Sequence, residues 1–217
     1  MMGGSFNIVA HTEGLKPSLI SIIRKWDCRL PTMKSSRKAM PLTSTSTADP
    51  TTHHGSARPR GLTGLAAGNG PSAGLYFALG TDAHVHIYNA ATLAPLPPFT
   101  ALSHRLLSNP SFYVRVAVSP CGRWLATGGS GSNASAFTFD IAGVAASAGR
   151  GPSPGLTARG VQLHGQVGEV SAVDWADGTL ATCADDGTVR VWRSNPEAYR
   201  SCEESPEDAK WDYAWAI

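Results

Sequence analysis

Charge and cysteine are both scarce in this chain. Asp, Glu, Lys and Arg make up only 16% of the 217 residues and nearly cancel, to a formal net charge of +2. Counterion release from nucleic acid needs a clustered basic surface, so no direct nucleic-acid partner is expected. The four cysteines, Cys28, Cys121, Cys183 and Cys202, lie far apart and form no Cys-x-x-Cys pair. That spacing argues against a zinc finger or a disulfide scaffold and fits reduced thiols. No stretch reaches the roughly 20 apolar residues that cross a bilayer. Nothing near Met1 joins a basic start to an apolar run. Neither membrane insertion nor secretion is expected.

Turn formers and short apolar alternations are what the chain has instead. It carries 23 glycines and 15 prolines, with 42% hydrophobic residues. This balance suits many short strands and turns better than long surface helices, so an all-β fold is expected. The pattern is plainest near the C-terminus. Val170-Ser171-Ala172-Val173-Asp174-Trp175 alternates as a half-buried strand, and Asp177-Gly178 turns it into Leu180-Ala181-Thr182-Cys183-Ala184. Asp185-Asp186-Gly187 turns again into Thr188-Val189-Arg190-Val191-Trp192. There Val189 and Val191 take one face, and Thr188, Arg190 and Trp192 the other.

The design repeats upstream. Val116 and Val118 alternate, Ser119-Pro120-Cys121-Gly122 turns, Trp124 to Gly129 runs back and Ala136 to Asp140 closes the unit. Ala78 to Tyr88 aligns without a gap on Thr182 to Trp192, setting Asp82 on Asp186, Val85 on Val189, Ile87 on Val191 and Tyr88 on Trp192. A weaker copy ends at Ile22 to Asp27. The organisation read from this is a blade remnant over 1–29, a flexible polar insertion over 30–60, a degenerate blade over 61–93, blades over 110–141 and 161–193, and a tail over 194–217. Pro95–Asn109 and Ala142–Thr157 read as linkers. The tail begins acidic and ends in Trp211-Asp212-Tyr213-Ala214-Trp215, an aromatic cluster expected to pack on a blade or a partner.

Ala184-Asp185-Asp186-Gly187-Thr188-Val189-Arg190-Val191-Trp192 resembles the end of a WD repeat, which implies a β-propeller of four-stranded antiparallel blades. With at most four blade-like units, the expectation is an incomplete propeller of about three to four blades. It is either part of a longer chain or an array that completes a ring with another chain. The resemblance implies a hydrogen-bonded set in the last blade made by Thr182, Asp186 and Trp192 with a His from the preceding loop. The expected Gly-His stands here as Gly165-Gln166, which removes the imidazole from that set.

The order of the pieces carries a narrower likeness. It runs through Trp26-Asp27-Cys28-Arg29, a long polar insertion, a blade ending in Tyr88, Ser111-Phe112-Tyr113-Val114-Arg115 and Gly168 to Trp175. Together these resemble the denticleless-type substrate receptors of the cullin-4 ubiquitin ligase. Such a receptor performs no bond chemistry. It docks on the ligase's propeller-shaped adaptor and presents protein substrates bound to the DNA sliding clamp, which implies a nuclear protein, with the cytoplasm as second location. The family's docking signature is Trp-Asp-x-Arg, and Trp26, Asp27 and Arg29 supply it. Arg29 offers a planar, always-charged fork for acidic or carbonyl groups. Elsewhere, Tyr88-Asn89-Ala90-Ala91, Phe139-Asp140-Ile141-Ala142 and Trp192-Arg193-Ser194-Asn195 do not preserve it. A plain blade terminus is the simpler reading of the same residues, and a general WD-repeat scaffold without a ligase is the alternative function.

Other chemistry is weaker. His84 and His86 leave one strand face at i and i+2, as metal ligands do, but no third ligand is identifiable and their counterparts, Thr188 and Arg190, lean to solvent. His53-His54 falls in the polar insertion. Gly128-Gly129-Ser130-Gly131-Ser132 lacks the lysine and spacing of a phosphate loop and reads as a turn. Lys34, Arg37 and Lys38 read as a solvated loop, and Trp124 and Trp175 as core. No nucleophile context selects a triad, and neither metal nor cofactor is expected.

Overall fold

The computed structural model describes residues 7–11, 22–26, 43–45, 61–96, 101–130, 135–147, 160–208 and 212–216. Four β-sheets follow one another along the chain. The first holds β1 (Asn7–His11), β2 (Ile22–Trp26) and β3 (Thr43–Thr45), and the second β4 (Leu62–Ala67), β5 (Leu75–Gly80) and β6 (Val85–Asn89). The third holds β7 (Val116–Val118), β8 (Trp124–Thr127), β9 (Ala136–Asp140) and β10 (Gly160–Leu163). The fourth holds β11 (Val170–Ala176), β12 (Thr179–Ala184), β13 (Val189–Ser194) and β14 (Tyr213–Trp215). This mostly-sheet array of three- and four-stranded sheets, stacked in chain order, is the arrangement expected of propeller blades.

Each sheet is too narrow to bury its own faces, so the core lies between sheets. Ile23 of β2 packs with Leu62, Ala78, Tyr88 and Leu93 between the first and second. Phe77, Leu79, Val85 and Ile87 meet Val114, Val116, Leu125, Phe137 and Phe139 between the second and third. Ala126, Ala136 and Leu163 meet Val170, Val173, Leu180 and Trp192 between the third and fourth. Close approach requires glycine at Gly128, where a Cβ would run into the Val170 carbonyl of the next sheet. The described part of the glycine-rich run thus makes sheet-to-sheet contact: the Gly129 carbonyl accepts from Val170 N–H (2.9 Å), and Ser130 N–H donates to Ser108 (2.8 Å).

Several expectations need correction. The unit expected over 161–193 is divided, because Gly160–Leu163 pairs with β9 and closes the preceding sheet. The insertion expected to be flexible over 30–60 contributes β3, whose Thr43-Ser44-Thr45 pairs with Lys25, Arg24 and Ile23. The stretch taken as a linker from Ala142 opens with a short helix, α1 (Ala142–Ser147), whose Val144 is buried. The other presumed linker is also structured in part, since Leu102 bridges Val85 and Pro95 bridges Tyr88.

The tail differs most. Pro196–Glu204 forms α2, with the Asn195 side chain accepting from Glu197 N–H (2.9 Å) and Ala198 N–H (3.1 Å), and with proline in the first turn. Beyond it β14 pairs with β13 in parallel, whereas every other strand pair described is antiparallel. The aromatic cluster packs on the chain's own last blade: Trp215 is buried, edge-on to Trp175 (5.9 Å) and Trp124 (6.4 Å).

Candidate interaction surfaces

The last sheet contains the residue set expected from the sequence, with one exchange. Trp192 Nε1–H donates to the Thr182 hydroxyl (2.8 Å), and that hydroxyl donates to Gln166 Oε1 (2.6 Å). Gln166 Nε2–H reaches the Thr188 carbonyl and hydroxyl (both 3.3 Å), and the Thr188 hydroxyl donates to Asp186 Oδ1 (2.6 Å). Asp186 Oδ2 also accepts from Val167 N–H (2.8 Å). Thr182, Asp186 and Trp192 are therefore joined in one relay, and Gln166 stands where an imidazole was expected. A primary amide can do this because it carries an acceptor and a donor on adjacent atoms. The hydroxyl and amides that bind Asp186 hold its carboxyl below the usual carboxylate value, the Thr188 hydroxyl contributing most. Gly165 has φ +118°, a conformation that strains any L side chain, and the Arg190 guanidinium lies directly over it.

The second sheet solves the same turn differently. Asp82 Oδ2 lies 2.9 Å from His86 Nε2, and Asp82 Oδ1 accepts from His84 N–H at 3.3 Å. His86 is buried, not solvent-leaning as its register with Arg190 had implied, because it turns back onto the carboxylate four residues earlier. Burial pushes the Asp82 carboxyl up. The hydrogen bond to His86, the imidazoles of His86 and His84 and the His84 amide outweigh that, and its pKa lies below the usual value.

Because β7, β9, β11 and β13 run the same way within their antiparallel sheets, the array has two distinct ends. At one end lie the loops entering β7 and β11 and the turns holding Asp82 and Asp186. There Phe112, Tyr113 and Val167 are exposed large apolar residues. The two loops are tied: Ser111 Oγ–H donates to Glu169 Oε1 (3.0 Å), and Arg115 N–H donates to the Ser171 carbonyl (3.0 Å). An exposed apolar group on braced loops is a surface suited to protein contact. Sequence reasoning assigned no such residues. The available signal was Phe112-Tyr113 placed just ahead of an alternating strand.

At the other end lie the β7–β8 and β11–β12 turns and the ends of β9 and β13. Ser119, Cys121, Trp124, Trp175, Asp177 and Trp215 are among the residues that line a cavity of about 230 Å³ there. Trp175 Nε1–H donates to the Ala117 carbonyl (3.2 Å), and the Arg123 guanidinium lies 4.8 Å from the Trp124 ring centre. Trp124 and Trp175 therefore pack between sheets and also face this opening. The Cys121 thiol, exposed and 3.2 Å from Ser119 Oγ, is lowered in pKa mainly by that hydrogen bond. Of the expected docking residues, Trp26 closes β2, paired in register with Asn7. Asp27 and Arg29 lie outside the described residues, as do His53-His54, Lys34, Arg37 and Lys38.

Comparison with known proteins agrees with this geometry. Residues 159–193 match the family described as "WD domain, G-beta repeat". These residues run from β10 through β13, which joins the closing strand of one sheet to three strands of the next. Denticleless protein homolog B of Xenopus laevis is 36% identical over 144 residues, 64% of this chain and 17% of that protein. The Danio rerio denticleless protein homolog is 35% identical over 126 residues, 56% of this chain and 17% of its own length. Cell division cycle protein cdt2 of Schizosaccharomyces pombe is 32% identical over 178 residues, 81% of this chain and 32% of that protein. The chain thus spans less than a third of the length of these relatives. A repeat of this kind presents a surface for contact with other proteins. The chain carries a WD repeat over residues 159–193 and is similar to denticleless proteins over most of its length.

Proposed function

We propose that this chain serves as substrate-recognition subunit of a cullin-RING ubiquitin ligase of the cullin-4 type, in the nucleus, with a role in DNA replication and the cell cycle. It binds the ligase's propeller-shaped adaptor and presents protein substrates, among them proteins held on the DNA sliding clamp. The observation that carries the reading is the similarity to denticleless proteins and to cdt2, which reaches 81% of the chain in the yeast case. The exposed Phe112, Tyr113 and Val167 on loops tied through Ser111 and Glu169 support it, since they offer an apolar surface for a protein substrate.

In this proposal the adaptor is met at the Trp26-Asp27-Cys28-Arg29 segment. Trp26 ends a strand, and a guanidinium such as that of Arg29 suits a carboxylate or a carbonyl on the adaptor. The test is co-purification of the tagged full chain with the cullin-4 adaptor from cells. The wild type is expected to retain the adaptor, and Arg29→Ala to lose it with an unchanged far-ultraviolet circular dichroism spectrum. Retention by Arg29→Ala would move docking to another surface. Failure of the folded wild type to retain the adaptor would favour a WD-repeat scaffold outside the ligase.

A further inference from the structure

Three indoles line the cavity of about 230 Å³ that opens beside the β7–β8 and β11–β12 turns. Trp124 and Trp175 are half-buried on neighbouring sheets, and Trp215 of β14 is almost wholly buried, 1% exposed. The Trp124 and Trp175 rings stand at 90° and 72° to the Trp215 ring, with centres 6.4 and 5.9 Å from it, as walls stand to a floor. The box is held in place: Trp175 Nε1–H donates to the Ala117 carbonyl, and β14 pairs with β13 along its three residues. Trp124 already takes a cation, since the Arg123 guanidinium lies 4.8 Å from its ring centre. Asp140 offsets that charge by accepting from Arg123 Nε–H (3.0 Å) and Nη2–H (2.9 Å). Asp177, exposed in the β11–β12 turn, brings a carboxylate to the same opening, and among the described residues no cation pairs with it.

We propose that this cavity binds the methylated ammonium group of a lysine side chain on a partner protein. Indole faces attract cations, and aromatic walls recognise a quaternary ammonium through that attraction together with contact to its methyl groups. An unmodified ammonium fits less well, because it carries three donors and a tight hydration shell. The Ser119 hydroxyl in the lining is already engaged by Trp124 N–H and the Cys121 thiol, so few acceptors are left for those donors. Methylation keeps the charge and removes donors. The cavity is smaller than the clefts that hold whole small molecules, which suits the end of one side chain. A WD repeat presents its surface to other proteins, so the ammonium arrives on a protein. This reading does not depend on adaptor docking, which rests on Arg29.

Tryptophan fluorescence of the full chain, titrated with a blocked Gly-Ala-Lys-Ala-Gly peptide whose lysine is trimethylated, tests the proposal. Saturable binding is expected. The analogue in which carbon replaces the ammonium nitrogen has the same shape without the charge, and is expected to bind about 2- to 30-fold more weakly. The unmodified lysine peptide is also expected to bind more weakly. Asp177→Asn is a safe variant, because Asn-Gly turns as readily as Asp-Gly. It is expected to weaken the trimethyllysine peptide by about 1.5- to 5-fold with an unchanged circular dichroism spectrum. In the unaltered protein the peptide is expected to slow alkylation of Cys121, which lines the cavity, and not that of Cys183. Absence of saturable binding, a neutral analogue that binds as tightly, a folded Asp177→Asn chain of unchanged affinity, or Cys121 alkylation unchanged at saturation each overturns the proposal. Choline binding more tightly than the peptide overturns it too, by assigning the cavity to a small ammonium ligand.

Discussion

Gln166 Oε1 accepts a 2.6 Å hydrogen bond from the Thr182 hydroxyl, inside a blade whose family pattern places a histidine there. The pair is buried and central to the relay from Trp192 to Asp186. Removing the amide leaves the Thr182 hydroxyl without its acceptor, and a buried polar group without a partner costs about 1–3 kcal/mol. Gln166→Leu is therefore expected to lower unfolding stability by about that much in urea titration. Gln166→His, which restores a donor and an acceptor, is expected to lose less.

Burial at equivalent strand positions sets a second contrast. Ile87 is enclosed between two sheets, whereas Val191 is exposed on the last one. Ile87→Ala is expected to cost about 2–5 kcal/mol through lost burial and the cavity left behind. Val191→Ala, at an exposed side chain, is expected to stay within about 0.5 kcal/mol of the wild type. Urea midpoints for the two variants check the difference.

Acid should act through Asp82. Its carboxyl is held below the ordinary value in the folded chain, so its contribution is fully present above the unfolded carboxylate pKa. That contribution is lost as pH falls through the folded value. Asp82→Asn is expected to flatten the fall in stability on acidification below the ordinary carboxylate range. Urea titrations of both proteins at a series of pH values measure it. Asp186, lowered in the same direction by Thr188 and Val167, adds to the same window.

Thiol reactivity should differ among Cys121, Cys183 and Cys202. Cys121 is exposed and its pKa is lowered, chiefly by Ser119 Oγ, so more of it is thiolate near neutral pH. Iodoacetamide labelling followed by peptide mass mapping is expected to modify Cys121 ahead of the other two. Ser119→Ala should slow it selectively.

The strands and their register were legible because alternation and Asp-Gly turns are local signals, as in Val170 to Trp192. Exposure was not, since Val85 and Val189 read alike and differ only in what packs over them. The sequence shows that the imidazole of the family pattern is missing, but not that Gln166 would replace it: the requirement is a donor and an acceptor at the right reach, which Gln166 meets. The parallel β14 depends on a chain reversal across α2, and no short-range pattern in Tyr213-Ala214-Trp215 marks its partner. Asn195-Pro196-Glu197 did carry a helix-start signal that the acidic character of the tail obscured. β3 was hidden in a polar insertion because Thr-Ser-Thr has strand propensity but no apolar period.

The most direct measurement is a binding titration of the purified full chain against the purified cullin-4 adaptor by biolayer interferometry. Saturable binding by the wild type, abolished by Arg29→Ala, is the expected result. A folded wild-type chain that shows no saturable binding to the adaptor would contradict the account.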